Sequence, residues 1–277
     1  MWDCDAVFVI VLSLKRWSDY LRTLVFCRVI AGEKHERKGK ISFPPFCGQM
    51  MQHRTRIKIC GLTNLADVNT VVASGADALG FVFYPPSPRY VEPDVAATLL
   101  QALPPFVVSV GLFVNVTEQD LQATVKKVPL QLLQFHGDET PQQCAALAAS
   151  VQRPFIKAFR VRPDTSADDL LECERSYRDA SPLFNGLLLD TFVESYGGSG
   201  KVFDWSLIPK ELAPRVVLSG GLSVQNVTGA VSQVRPFAVD ISSGVELSKG
   251  RKDEVKVQAF IAAVRSADNA DIETQRN

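Results

Sequence analysis

The sequence predicts an α/β chain built as a single (β/α)8 TIM barrel, preceded by an N-terminal extension that does not share its pattern. Three observations carry that reading. Short apolar runs alternate with amphipathic stretches of helical length from residue 56 to residue 267. Eight strand–helix units fit into those roughly 210 residues, within the range of a barrel that typically takes about 250. No G-x-G-x-x-G follows the first run, which weighs against the alternative of a doubly wound open sheet.

The strand candidates are residues 56–62, 78–84, 106–115, 130–137, 155–161, 186–192, 215–222 and 238–246. Strands of a parallel sheet are buried on both faces and read as nearly continuous apolar runs, as several of these do. The stretches between them carry helix-start signals. Asn64 can cap 65–74. Thr117 leads 118–127, with Asp120 in the first turn. Thr140 precedes Pro141 at a first helical position, and Ser223 leads 224–234. The stretch 252–267 closes the series, with Val255, Phe260, Ile261 and Val264 on one face. The barrel domain is accordingly set at 54–269, with a tail at 270–277.

Residues 1–53 show no sustained period. A short apolar run at 6–12 follows Asp3 and Asp5, where a secretory signal would carry positive charge. The expectation is an extension outside the barrel, unstructured or the product of an upstream start codon, with Met50 and Met51 standing just ahead of the first strand. Cytoplasmic localisation follows from the weak case for export.

Composition bounds the function. Thirty basic residues balance thirty acidic ones, so the whole chain offers no electrostatic footprint for nucleic acid or an anionic membrane. No run reaches the ~20 apolar residues of a membrane helix. The six cysteines form no CxxC pair, and a chain this long and apolar does not need a disulfide scaffold. With His35, His53 and His136 the only histidines, a zinc site would have to be built from scattered residues, and no metal is expected.

In such a barrel the active site lies at the C-terminal strand ends. The first strand ends in Lys58-Ile59-Cys60-Gly61. Cys60 can be a small buried residue or, aimed into the barrel mouth, a thiolate base or nucleophile. The sixth ends Leu187-Leu188-Leu189-Asp190, which puts a carboxylate at the end of a dry strand. Arg89 stands in the proline-stiffened loop 84–90 and suits a carboxylate ligand, although a solvated loop arginine reads the same way. His136 ends the fourth strand. The last two strands end in Ser219-Gly220-Gly221 and Ser242-Ser243-Gly244, small residues that let backbone amides approach a phosphate. A glycine-bearing loop, 196–201, follows Asp190 and is a candidate flap.

Taken in order, Lys58-Ile59-Cys60-Gly61, the stretch 75–83, Ser87-Pro88-Arg89-Tyr90, Gln134-Phe135-His136-Gly137, Leu188-Leu189-Asp190, Gly197-Gly198-Ser199-Gly200, Ser219-Gly220-Gly221-Leu222 and the stretch 240–246 resemble the phosphoribosylanthranilate isomerase family. The set covers essentially all of 56–267. The resemblance implies a small phosphorylated substrate, N-(5-phosphoribosyl)anthranilate, and an Amadori rearrangement without cofactor in tryptophan biosynthesis. It implies Asp190 as general acid and Cys60 as general base. It also implies Arg89 on the anthranilate carboxylate, and amides around Gly220, Gly221, Ser243 and Gly244 on the phosphate. His136, Asp240 and Ser242 complete the implied substrate-binding set. The quaternary state implied is monomer or homodimer. Departures from the family pattern are Phe135, Ser219 and the turn 248–250. Two rival barrels fit less well. A histidine-pathway aminoaldose isomerase needs a carboxylate where Cys60 stands, and the lysine–glutamate constellation of indole-glycerol-phosphate synthase is absent. A non-catalytic phosphate binder would leave Cys60 and Asp190 without a task.

Overall fold

The structure, a computed structural model, describes residues 54–191 and 202–276. The segment read as an extension and the glycine-bearing loop at 196–201 lie outside the described residues. The strands β1 (Arg56–Cys60), β2 (Ala78–Val82), β3 (Val108–Phe113), β4 (Leu132–Phe135), β5 (Phe155–Val161), β6 (Phe184–Thr191), β7 (Val217–Leu218) and β8 (Ala238–Ile241) pair in chain order into a closed barrel. Every barrel pairing is parallel, and β8 closes on β1 with Lys58 opposite Asp240.

Seven α-helices are described: α1 (Leu65–Ala73), α2 (Pro93–Leu100), α3 (Glu118–Lys127), α4 (Pro141–Val151), α5 (Ala167–Ala180), α6 (Val227–Val234) and α7 (Glu254–Arg276). Their starts follow local chemistry. The Asn64 side chain accepts from the Asp67 amide, and Thr117 accepts from Asp120. Thr140 and Gln143 form a reciprocal capping box ahead of Pro141. α6 begins at Val227, later than the start read from Ser223, because Asn226 takes the Ser223 amide at 2.8 Å and donates to Gly221 O at 2.9 Å. That residue braces the turn after β7 instead of extending a helix. α7 continues past residue 269 to Arg276, with no proline or glycine to stop it. Between β6 and β7 the described residues form two 3-10 turns, Trp205–Leu207 and Ala213–Arg215, and no α-helix. Pro209 and Pro214 disfavour a continuous helix there.

Several strands are shorter than the apolar runs. β8 stops at Ile241, where Ser242 leaves the extended region (φ −128°, ψ −78°) and a 3-10 turn, Ser243–Val245, follows. Glu246 then opens a small antiparallel hairpin of β9 (Glu246–Ser248) and β10 (Arg251–Lys252), outside the barrel. β7 ends early because Gly220 and Gly221 both take positive φ, +81° and +68°.

Two apolar regions divide the work. The larger core lies between the barrel wall and the helices and holds Ile57, Ile59, Phe81, Phe113, Phe135 and Phe155, all essentially without solvent contact. Phe135 packs against Phe155 at 5.5 Å between ring centroids, and Phe155 against Phe184 at 5.6 Å, so the aromatic at 135 has partners of its own. The smaller cluster, Ile156, Ala158 and Leu188 with Leu132 and Val217, fills the barrel interior. Side chains alternate along a strand. The next inward positions above this plug are Gln134, Arg160, Asp190 and Ser219, and these are polar. The chain is tied at its first described residues: Thr55 gives its amide and hydroxyl to Asp268 of α7 at 3.0 and 2.7 Å.

Candidate active site

A cavity of about 260 Å³ opens at the C-terminal end of the barrel. Every site residue expected from the sequence lines it: Cys60, Arg89, His136, Asp190, Gly220, Gly221, Asp240, Ser242, Ser243 and Gly244.

Cys60 ends β1 and is 5% exposed. Its thiol lies against the backbone of Gly80 on β2, where a built Cβ would stand 2.6 Å from Sγ. The Ser242 hydroxyl donates to Cys60 O at 3.0 Å and ties β1 to the end of β8. Burial pushes the thiol above its ordinary value, against the pull of the Lys58 and Lys252 ammonium groups, while Asp240 adds to the rise. The deprotonated thiol is therefore the minor form at neutral pH. Lys58 sits two residues earlier on the same inward face and meets Asp240 at 2.8 Å, both side chains nearly inaccessible. Burial alone would lower the Lys58 pKa, but the Asp240 charge and hydrogen bond outweigh it and the net shift is upward. Ser219 Oγ reaches the other Asp240 oxygen at 3.5 Å.

Asp190 is the penultimate residue of β6, with its carboxylate about a quarter exposed. His136 Nε2 is 3.2 Å from Asp190 Oδ2, and Gln134 Nε2 donates to His136 Nδ1 at 2.9 Å. With Nδ1 accepting, the ring proton sits on Nε2 and points at Asp190. The loop that carries His136 is fixed from behind. Glu139 accepts from the Asn115 and Gly137 amides at 2.7 and 3.0 Å, and Lys157 bonds Glu139 at 2.9 Å. Gln134 is fully buried, yet its Oε1 has no partner among the described residues.

Arg89 is not a solvated loop arginine: it lines the cavity and is held by an acidic partner. Its Nε and Nη2 donate to Glu246 Oε1 and Oε2 at 2.7 and 2.8 Å, a bidentate ion pair. Burial would lift the Glu246 carboxyl, but the Arg89 hydrogen bonds and the Lys252 charge hold it below the usual range. The arginine stem crosses Gly61, where an added Cβ would meet Arg89 Cδ at 2.5 Å and the backbone already has φ +81°.

The ends of β7 and β8 fold against each other. A Cβ on Gly244 would lie 2.3 Å from Leu222 O, and one on Gly220 would lie 2.2 Å from the Thr191 amide and 2.7 Å from Asp190 Oδ1. Only glycine allows these turns to reach the cavity rim. Sequence reading passed over Lys58, Gln134, Arg160, Glu246 and Lys252. The first three sit at inward strand positions, the same parity as Cys60 and Asp190, and a charge or amide inside an apolar strand was their available signal. Arg160 lines the cavity and pairs with Asp138. Among the described residues no group of His, Cys, Asp and Glu could hold a metal ion, and no helix is long and apolar enough to cross a membrane.

The sequence profile of the N-(5'phosphoribosyl)anthranilate (PRA) isomerase family matches residues 57–263, the span that contains the whole cavity. The chain belongs to the PRA isomerase family. It is an isomerase of tryptophan biosynthesis. The PRA isomerase of Herminiimonas arsenicoxydans is 66% identical over 220 residues, covering 79% of this chain and 97% of that protein. The crystal structure of the Thermotoga maritima PRA isomerase is 44% identical with a TM-score of 0.68, covering 76% of this chain and 99% of that one. A PRA isomerase solved with reduced 1-(o-carboxyphenylamino)-1-deoxyribulose 5-phosphate is 41% identical with a TM-score of 0.65, over the same shares of 76% and 99%.

Proposed function

We propose that Asp190 and Cys60 are the general acid and general base of an Amadori rearrangement of N-(5'-phosphoribosyl)anthranilate in this cavity. Asp190 gives its proton to the furanose ring oxygen. The ring C–O bond breaks, and the nitrogen lone pair completes a Schiff base at C1. The Cys60 thiolate removes the proton on C2, and the electron pair neutralises the nitrogen to form an enolamine. Protonation at C1 with loss of the enol proton yields 1-(2-carboxyphenylamino)-1-deoxyribulose 5-phosphate. No redox change and no hydrolysis occurs, so one acid and one base suffice.

The observation that carries this reading is that Cys60 and Asp190 line one cavity from β1 and β6. Lys58 and Lys252 favour the thiolate that the base requires. His136 orients the acid. Arg89 takes the anthranilate carboxylate, and the turns at Gly220–Gly221 and Ser243–Gly244 take the phosphate. Asp240 and Ser242 flank the sugar. Binding energy from the two anionic ends holds the reacting carbons between acid and base. The protein acts in the cytoplasm as a monomer or homodimer on this small phosphorylated molecule.

The test is loss of anthranilate fluorescence when purified protein meets the substrate. Cys60→Ser and Asp190→Asn should each lower kcat about 10²- to 10⁴-fold with substrate affinity preserved. Near-normal turnover in Cys60→Ser would make Cys60 a packing residue and overturn the mechanism.

A further inference from the structure

The ion pair of Arg89 is part of a larger device. Glu246 accepts from Arg89 on one side, and Lys252 Nζ meets its Oε1 at 3.1 Å on the other. Lys252 also donates to Ser242 O at 3.1 Å, and its side chain has no solvent contact. Ser242 in turn bonds the backbone carbonyl of Cys60. One hairpin, β9–β10, thus holds the carboxylate-binding arginine directly and reaches the strand end that carries the base through Ser242. Three further titratable groups face this one: Lys256 donates to Glu246 O at 2.8 Å, the buried Asp67 carboxylate accepts from the Lys252 amide at 2.9 Å, and Cys60 lies close to both Arg89 and Lys252.

We infer that Glu246 is a positioning residue that sets substrate specificity: it holds the Nε–Nη2 edge of Arg89 so that the Nη1 edge meets the anthranilate carboxylate. The inference rests on the reading of Arg89 given above. A guanidinium carries five N–H donors in a rigid plane. Glu246 uses Nε and one proton of Nη2, which leaves the Nη1 edge for a ligand. Arg89 lines the cavity, whereas Glu246 and Lys252 do not, so the edge bound to Glu246 faces away from the substrate. The side chains of Arg89, Glu246 and Lys252 sum to one positive charge, the complement of one carboxylate. A substrate that pulled Arg89 away would break two short charge-assisted bonds and strand Glu246 on Lys252 alone. Arg89 therefore stays on Glu246 when the substrate binds.

Two probes test this: the reduced product, 1-(o-carboxyphenylamino)-1-deoxyribulose 5-phosphate, and its phenylamino counterpart without the ring carboxylate. The ratio of their Kd values reports recognition of the carboxylate alone. Glu246→Gln should cut that ratio about 10- to 100-fold, the scale of a misplaced contact group, and the kinetic loss should fall on KM more than on kcat. Should Glu246→Gln fail to fold, Glu246→Gln/Lys252→Met removes the anion with the ammonium it neutralises and carries the same measurement. A higher ratio in the variant would make Glu246 a competitor that parks Arg89, and an unchanged ratio would make it a structural residue only. Either result overturns the inference. Arg89→Ala separates the two levels. If it lowers the ratio while Glu246→Gln does not, Arg89 keeps its role and Glu246 loses it. If neither lowers the ratio, the reading of Arg89 fails and this inference fails with it.

Discussion

The thiol of Cys60 occupies space that only a glycine at position 80 leaves open: a Cβ there would lie 2.6 Å from Sγ and 3.1 Å from both Cα and Cβ of Cys60. Gly80 has no positive φ, so the close approach, and not the backbone conformation, requires it. Gly80→Ala should displace the thiol without unfolding the barrel. The expected result is a fall in kcat of about tenfold or more, since small misplacements of a reacting group are costly. A destabilisation of about 1–3 kcal/mol from overpacking should accompany it. Adding Cys60→Ala should restore part of that stability by removing Sγ. Wild-type kcat in Gly80→Ala would show that the thiol position is not critical.

The ionisation of Cys60 gives a pH prediction. Burial disfavours the thiolate, so at any pH less of it is present than in an exposed cysteine. Alkylation of Cys60 in the free protein, followed peptide by peptide with mass spectrometry, should rise with pH through a midpoint above the ordinary thiol value of about 8.5. Lys58→Met should move the midpoint higher, because it removes a nearby positive charge. Burial pushes Cys173 and Cys144 up as well, to about 11 and about 12, so their alkylation should also be slow at neutral pH. A Cys60 midpoint below about 8.5 would mean that its cationic neighbours outweigh its burial.

Among the described residues, anchors of the barrel are found from residue 54 onward. Arg54 pairs with Asp77, which also accepts from the Ile57 amide at 2.9 Å and from Arg265 at 3.2 Å, and Thr55 is bound to Asp268. The family match starts at residue 57 and the cavity lining at Cys60. A chain beginning at Met50 should keep the kcat and the thermal midpoint of the full chain. Thr55→Val should lower stability by about 1–3 kcal/mol, because it leaves the buried Asp268 carboxylate short of a donor. An inactive or insoluble chain from Met50 would mean that residues 1–49 contribute to the barrel.

What the sequence by itself determined is what depends on near neighbours. Apolar runs marked the strands. A period of two, read outward from Cys60 and Asp190, names the inward positions. Asn64, Thr117 and Thr140 announced their helices through bonds spanning three residues. The glycines at strands seven and eight stand where backbone needs room. Barrel closure decided the rest. It brought Lys58 to Asp240 and Cys60 to Ser242 across 182 residues, Arg89 to Glu246 across 157, and His136 to Asp190 across 54. The tertiary fold also turned Glu246 out of the eighth strand into a hairpin. Such pairings leave no period in the chain, because the energy of a buried charge is set by which opposite charge the closed sheet places within about 3 Å, and sequence spacing does not record that distance.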